Sequence, residues 1–308
     1  MNDIKNDIKQ TSGTVTVVGK PNVGKSTLVN FLVGEKVVIV SDKIQTTRNR
    51  IAGILTDEKG QIIFYDTPGI HKPLHKLGNY LVKIAVGALQ GSDLIAVMLD
   101  IVDGIRKTDN LVSKYVNSSK IPIILLINKV DCIEDKDKIR EFRVKAEEMF
   151  DNIIDTVEMS AKNGTGTDKF LDILYDKLPE GKPLYPEDII TDRSYRFMAS
   201  EIIREKILYL TEKEVPHCIG VEIKDFIEKE NGITLIRADI VVERDSQKPI
   251  IIGKHGRMIK KIGTLARKDI EYLFDQKVYL ELFVKVRKKW REKDNFIMNF
   301  TNLKEDFQ

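Results

Sequence analysis

The sequence predicts an α/β domain, a doubly wound and mostly parallel sheet, followed by a smaller α+β domain. Three observations carry this. From Thr14 to about Leu178, short apolar runs (TVTVV, QIIFY, LIAVML, IPIILLI, TVEM) alternate with segments of helical spacing (KSTLVNFLV, LGNYLVKIAVGAL, KIREFRVKAEEMF, TDKFLDILYDKL). Several of the runs are apolar without interruption, as strands buried on both faces must be, and strand–helix alternation is the signature of a parallel sheet. Second, LPEGKPLYPED, Leu178 to Asp188, holds three prolines and a glycine with little apolar periodicity, which marks a linker. Third, the pattern then changes: one helix over Asp192 to Leu210, strands GVEIKDFIEK and ITLIRADIVVE across a turn at Asn231-Gly232, a glycine loop, a helix to about Phe274, and a last strand VYLELFVKV. The expected division is a flexible tail over 1–13, a first domain over 14–178, a linker over 179–191, a second domain over 192–290 and a tail over 291–308.

Composition narrows the class. The 308 residues are 42% apolar and 31% charged, and no stretch reaches the ~18 apolar residues of a membrane span. The start, MNDIKNDIKQTSG, is polar and has no apolar signal core, so the cytoplasm is the expected location. Cys132 and Cys218, with four histidines at unrelated spacing, suit neither a disulfide framework nor a zinc site. Net charge is only +3, but it is unevenly spread: Lys248 to Lys268 holds seven basic residues and no acidic one, and Lys285 to Lys293 is a second basic cluster. Such density is the footprint of a polyanion partner, although a solvated helix face gives the same pattern.

Four short motifs stand in order along the first domain. GKPNVGKS (Gly19, Lys20, Pro21, Asn22, Val23, Gly24, Lys25, Ser26, then Thr27) lies between a strand and a helix and fits the phosphate loop G-x-x-x-x-G-K-[ST]. Backbone N–H groups from Asn22 to Ser26 can wrap a β-phosphate at the positive end of the helix. Lys25 would neutralise the β- and γ-phosphates and the Ser26 hydroxyl would ligate Mg2+. DTPG (Asp66, Thr67, Pro68, Gly69) ends a strand; Asp66 is placed to hold Mg2+ and the Gly69 amide to meet a γ-phosphate. NKVD selects the base: the Asp131 carboxylate can accept from guanine N1–H and its exocyclic amine, whereas adenine has no such donor pair. Asn128 would brace the pocket, the Lys129 stem would cover the base, and SAK (Ser160, Ala161, Lys162) would offer the Ala161 amide to guanine O6. GTP and GDP are the expected ligands.

QTTRNR, Gln45 to Arg50, reads as a mobile loop that brings a threonine to Mg2+ when a γ-phosphate is present, Thr47 first and Thr46 second. Lys25, Thr47, Asp66 and Gly69 are then the candidate catalytic residues. Many GTPases carry a water-orienting glutamine after the DxxG glycine; here that position is Ile70, so slow turnover is expected. Asn22 reads either as a ligand for a monovalent cation such as K+ or as a loop residue that tolerates an unusual backbone angle.

The series GKPNVGKST, QTTRNR, DTPGIH, NKVD and SAK, followed by ITDRSYRFMASEIIREKI and IIGKHGRMIKKIG, resembles the bacterial Era family from Thr14 to about Trp290. The resemblance implies a GTPase with a C-terminal KH domain of type II topology. It further implies slow GTP hydrolysis, binding to the 3′ end of small-subunit (16S) ribosomal RNA, assistance to 30S subunit assembly, and for some members peripheral association with the inner membrane. A monomer is expected. Gly253-Lys254-His255-Gly256 then matches the KH G-x-x-G loop, which clamps nucleotide backbones between two helices. Ile252, Gly253, Lys254, His255, Gly256, Arg257, Lys260 and Lys261 are the expected RNA-binding residues, with Ile252, Ile259 and strand residues near Ile240 flooring the groove. The alternatives are a helix cap for the glycine loop, and a membrane-tethered adaptor whose basic cluster meets anionic lipid.

Overall fold

TSGTVTVV forms the first strand, β1 (Thr11–Val18), with seven of its eight residues buried. A computed structural model describes residues 10–230 and 232–301, so most of the expected N-terminal tail and the Asn231 half of the expected turn lie outside the described residues. Thr11 to Gly13, read as tail, belong to β1. The elements that follow are α1 (Lys25–Val33), β2 (Ile51–Asp57), β3 (Gly60–Asp66), α2 (Lys76–Gly87), β4 (Leu94–Asp100), α3 (Lys107–Ser119), β5 (Ile123–Asn128), α4 (Lys136–Glu147), β6 (Ile153–Glu158) and α5 (Thr167–Lys177). The sheet order is β2-β3-β1-β4-β5-β6. All neighbours run parallel except β2, which lies antiparallel on β3. Every residue of β4 and β5 is buried, which accounts for their unbroken apolar sequences.

Two elements of this sheet and its flanking helices were not foreseen from the sequence. β2 is one arm of a hairpin whose turn is closed by Asp57, its Oδ1 accepting from Lys59 N at 2.8 Å and Gly60 N at 3.2 Å. α3 has few apolar residues: Val112 and Val116, one turn apart, are buried in the core with Val97, Leu99 and Leu125, and Leu111 and Tyr115 pack against them partly buried. Its start is fixed by Asp109, which accepts from Arg106 N at 2.8 Å.

The expected linker is tied down along its length. Gln61, fully buried, accepts from Leu184 N and Tyr185 N and donates to Tyr185 O at 2.9 Å. Ser12 N donates to Pro179 O and Ile54 N to Ile190 O. One compact unit therefore runs on to Asp192, while Ile39–Asn49 and Pro73–Leu81 cluster with the second unit, which otherwise starts at Arg193.

The second unit is built from α6 (Tyr195–Leu210), β7 (Gly220–Glu228), β8 (Ile233–Val242), α7 (Lys248–Ile252), α8 (Arg257–Phe274), β9 (Lys277–Val286) and α9 (Asp294–Phe300). Ser194 caps α6 by accepting from Phe197 N at 3.3 Å. β7 is antiparallel and β9 parallel to the central β8. Ile236, Ala238 and Ile240 of β8 are fully buried, as are Ile262, Ala266 and Ile270 of α8. Val241, one residue on from Ile240 and so on the opposite face, packs with Trp290, Ile297, Leu77 and Leu81. The stretch read as a C-terminal tail thus contributes α9, and Phe300 meets the Trp290 ring edge-on at 4.8 Å. Among the described residues no helix is long and apolar enough to cross a membrane.

Trp290 is completely buried and its indole N–H donates to Cys218 O at 2.8 Å. Trp290→Ala should cost about 3–5 kcal/mol, the range for emptying a large aromatic site. A fall in the denaturation midpoint of the second unit, followed by urea titration, checks this; an unchanged midpoint would contradict the packing described.

Candidate functional site

The glycine loop joins β1 to α1, and Gly24 sits at the helix N-cap with φ 108°. The first N–H groups of α1 therefore open toward the loop, a ready anion site. Lys25 is buried, its Nζ donating to Lys20 O at 3.0 Å. Burial lowers its pKa to about 8, opposed in part by Asp66. Asp66, fully buried at the end of β3, accepts from the Ser26 hydroxyl at 2.7 Å. A hydroxyl and a carboxylate so paired are the hard oxygen donors that suit Mg2+. Gly69 leaves no room for a side chain, since a Cβ would lie 2.6 Å from Pro21 N. Ile70 N donates to Gly19 O at 3.1 Å, and the Ile70 side chain is fully buried in the core of the sheet. Asn22 is exposed with φ 65°.

Asn128, at the end of β5, joins three segments. Its Nδ2 donates to Val23 O at 2.6 Å and its Oδ1 accepts from Ala161 N at 2.8 Å. The phosphate loop, the NKVD strand end and the SAK loop are thereby set around one amide. Asp131 stands exposed beside them, its pKa lowered chiefly by the Ser160 hydroxyl, so its carboxylate is charged and open to a ligand. Lys129 takes a left-handed φ of 68° and its ammonium pairs with Asp100.

Several of the expected residues also make contacts within the fold. The Ala161 amide is engaged by Asn128 rather than held open for guanine O6. Thr67 is buried and donates to Val17 O at 2.7 Å, so its hydroxyl belongs to the sheet. The Lys20 ammonium pairs with Asp103 at 2.7 Å and Asp109 at 2.9 Å, which leaves only its backbone for a nucleotide. Thr47, expected at Mg2+ only when a γ-phosphate is present, is buried and clusters with the second unit. Thr46, its alternative, donates to Lys43 O at 2.6 Å.

In the second unit Gly253, Lys254, His255 and Gly256 link α7 to α8. Gly253 has φ 72° and ψ 170°, and a Cβ there would lie 2.6 Å from Met258 Cβ, so the position demands glycine. Gly256, φ 73°, has open space around it. Lys254, His255, Arg257, Lys260 and Lys261 are exposed and Ile252 half-buried. A groove of about 450 Å³ lies between α8 and β9, lined by Ile259, Lys260, Gly263, Thr264, Arg267, Leu280 and Leu282. Its floor is Leu280 and Leu282; Ile240 is fully buried in the core. Gly263, Thr264 and Arg267 were not singled out from the sequence. Their spacing from Lys260, three, four and seven residues on along one helix, was the available signal.

This is the frame of a phosphate-loop GTPase joined to a KH domain. Residues 14–129 match the family described as 50S ribosome-binding GTPase, and residues 214–291 match the KH domain. The GTPase Era of Thermotoga maritima is 54% identical over 297 residues, which cover 96% of this chain and 99% of that one. The GTPase Era of Staphylococcus haemolyticus is 46% identical over 286 residues, covering 93% and 95%. Two crystal structures are similar with TM-scores of 0.91 and 39% identity over 94% of this chain. One is an Aquifex aeolicus Era variant bound to GDP and tetrafluoroaluminate; the other is Era in complex with MgGDPNP and nucleotides 1506–1542 of 16S ribosomal RNA. The chain belongs to the Era family of GTPases.

Lys25 yields a pH prediction. With a pKa of about 8, it is partly neutral just above that pH, and phosphates placed against it must raise the value. Binding of GDP at pH 8.5 should therefore take up a proton, and affinity should fall as pH rises above about 8. Calorimetry in buffers of different ionisation enthalpy measures the proton count; zero uptake would mean Lys25 is already fully charged.

Proposed function

We propose that this GTPase binds the 3′ end of small-subunit ribosomal RNA in its KH groove, couples that binding to its nucleotide state, and so assists 30S assembly. The observation that carries the reading is the pairing, on one chain, of a guanine pocket braced by Asn128 and a glycine-loop groove with basic walls. Proteins similar over nearly the whole chain support it, one of them in complex with MgGDPNP and part of 16S ribosomal RNA.

In this reading the N–H groups of Asn22 to Ser26 hold the phosphates and Lys25 neutralises them. Ser26 and Asp66 hold Mg2+, which when bound offsets phosphate charge. Thr47 joins that shell when the γ-phosphate draws its loop across, and the Gly69 amide meets the γ-phosphate. Because Ile70 lies in the core, no side chain at that position aligns water and intrinsic turnover is slow. Asn22 adds a site for K+; faster turnover in potassium than in sodium chloride is expected, and equal rates would remove that cation from the account.

On the RNA side, exposed Lys254, Arg257 and Lys260 meet the phosphates while bases lie on Leu280 and Leu282. A short single strand copying the 3′ end should bind more tightly with a non-hydrolysable GTP analogue than with GDP. RNA must then tighten the analogue's binding by the same factor. Equal affinity in both states would sink the coupling. Gly256→Asp places a carboxylate at the clamp, in open space and at a left-handed angle that aspartate tolerates. It should abolish RNA binding while leaving nucleotide affinity unchanged. Asp131→Asn should weaken GTP by at least about tenfold, roughly 1.4 kcal/mol; retained GTP selectivity over ATP would undo the base assignment.

A further inference from the structure

The second unit holds a buried cluster of guanidinium groups that neither the nucleotide pocket nor the RNA groove uses. Arg48 is 2% exposed; its Nη1 donates to Ile219 O at 2.6 Å and its guanidinium stacks 5.6 Å above the Trp290 ring. Arg204, also 2% exposed, donates to both oxygens of Glu201 and to Thr46 O. Arg291 is paired with Glu243 at 2.6 Å. Two of the three arginines therefore have a carboxylate of their own. Arg48 has none among the described residues.

Burial, then Arg204 and Arg291 close by, with the Arg204-bound Glu201 opposing them in part, pulls the Arg48 pKa to about 9, so the group keeps its charge at neutral pH. A buried charge without a counter-charge is among the costliest arrangements in a protein interior. The surroundings supply room for one. Arg48 Nε and Arg204 Nη1 are both buried without a hydrogen-bond partner. Both side chains line a cavity of about 30 Å³, with Phe197, Val221 and Phe300 beside Ser200 and the exposed Asn299. Glu201 also lines it, but both its oxygens are engaged by Arg204. That volume admits a water or a monatomic ion and excludes a phosphate or a carboxylic acid. A water would satisfy the two N–H groups and leave the charge uncompensated.

We propose that the cavity between Arg48 and Arg204 is a binding site for one halide-sized anion, chloride being the physiological example. The anion accepts from Arg48 Nε and Arg204 Nη1 and supplies the negative charge that Arg48 lacks. The site lies wholly in the second unit and does not rest on the reading of the nucleotide pocket.

The test uses the full-length protein at one fixed ionic strength, with sodium gluconate replaced stepwise by sodium chloride or bromide. A ligand that binds only the folded state raises its melting temperature in a saturable way, by about 2–4 °C at tenfold excess over its Kd. Gluconate is too large to enter. Arg48→Met keeps an apolar stem beside Trp290 and removes the charge, so its melting temperature should not respond to chloride. Crystals soaked in bromide should show an anomalous peak in contact with Arg48 Nε and Arg204 Nη1, which decides the matter even if the variant fails to fold. A saturable rise together with that peak is the expected result. No rise, a rise that persists in Arg48→Met, or no anomalous peak would each overturn the site.

Discussion

One side-chain amide organises the nucleotide pocket. Asn128 donates to the backbone of Val23 and accepts from the backbone of Ala161, so three loops from three strand ends share a single rigid centre. The buried Asn128 amide is thus bonded on both its nitrogen and its oxygen, and removing it would leave a buried carbonyl and a buried N–H without partners, each costing about 1–3 kcal/mol. The parallel sheet supplies the strand ends, but their relative setting comes from this amide, from Ile70 N on Gly19 O, and from the Ser26–Asp66 bond. Where a sheet provides the scaffold, a few polar contacts between its loops set the shape that a ligand meets.

Much of this was legible in the sequence, because strand alternation, the phosphate loop and the base-selecting carboxylate are local patterns. β4 and β5 announce themselves by unbroken apolar runs, and α8 by its amphipathic spacing. What escaped notice depends on partners that apolar periodicity does not report. β2 is an edge arm paired to β3, and α3 rests on a short apolar stripe, Leu111, Val112, Tyr115 and Val116, in an otherwise polar sequence, with a capping carboxylate at its start. Lys20 lies within the phosphate loop, yet its ammonium is bound by Asp103 and Asp109, more than eighty residues away. Thr67 and the Ala161 amide have the right chemistry for a ligand but are occupied by partners in the fold. A motif gives the residue type, and only the packed chain shows which of its groups are available.

The glycine loop of the second unit repeats the lesson in reverse. Gly253 is dictated by a backbone angle and by the closeness of Met258, whereas Gly256 shares the left-handed angle but faces open space, so no neighbour within the fold limits a side chain there. The groove floor falls on β9 rather than near Ile240 because alternate residues of β8 are consumed by the core. Leu280 and Leu282 remain half-exposed on the strand beside α8.

The chain also departs from the beads-on-a-string picture that its proline-rich stretch suggests. Ile39–Asn49 and Pro73–Leu81 lie early in the sequence yet fold into the unit that begins at Arg193. They bring Arg48 to Trp290, and Leu77 and Leu81 to Val241. A fragment starting at Arg193 would lack these pieces and would expose the apolar face they cover. Recombination or laboratory grafting that cuts at the apparent linker would therefore not transfer this KH unit intact, and its neighbours in sequence are bound to evolve with it.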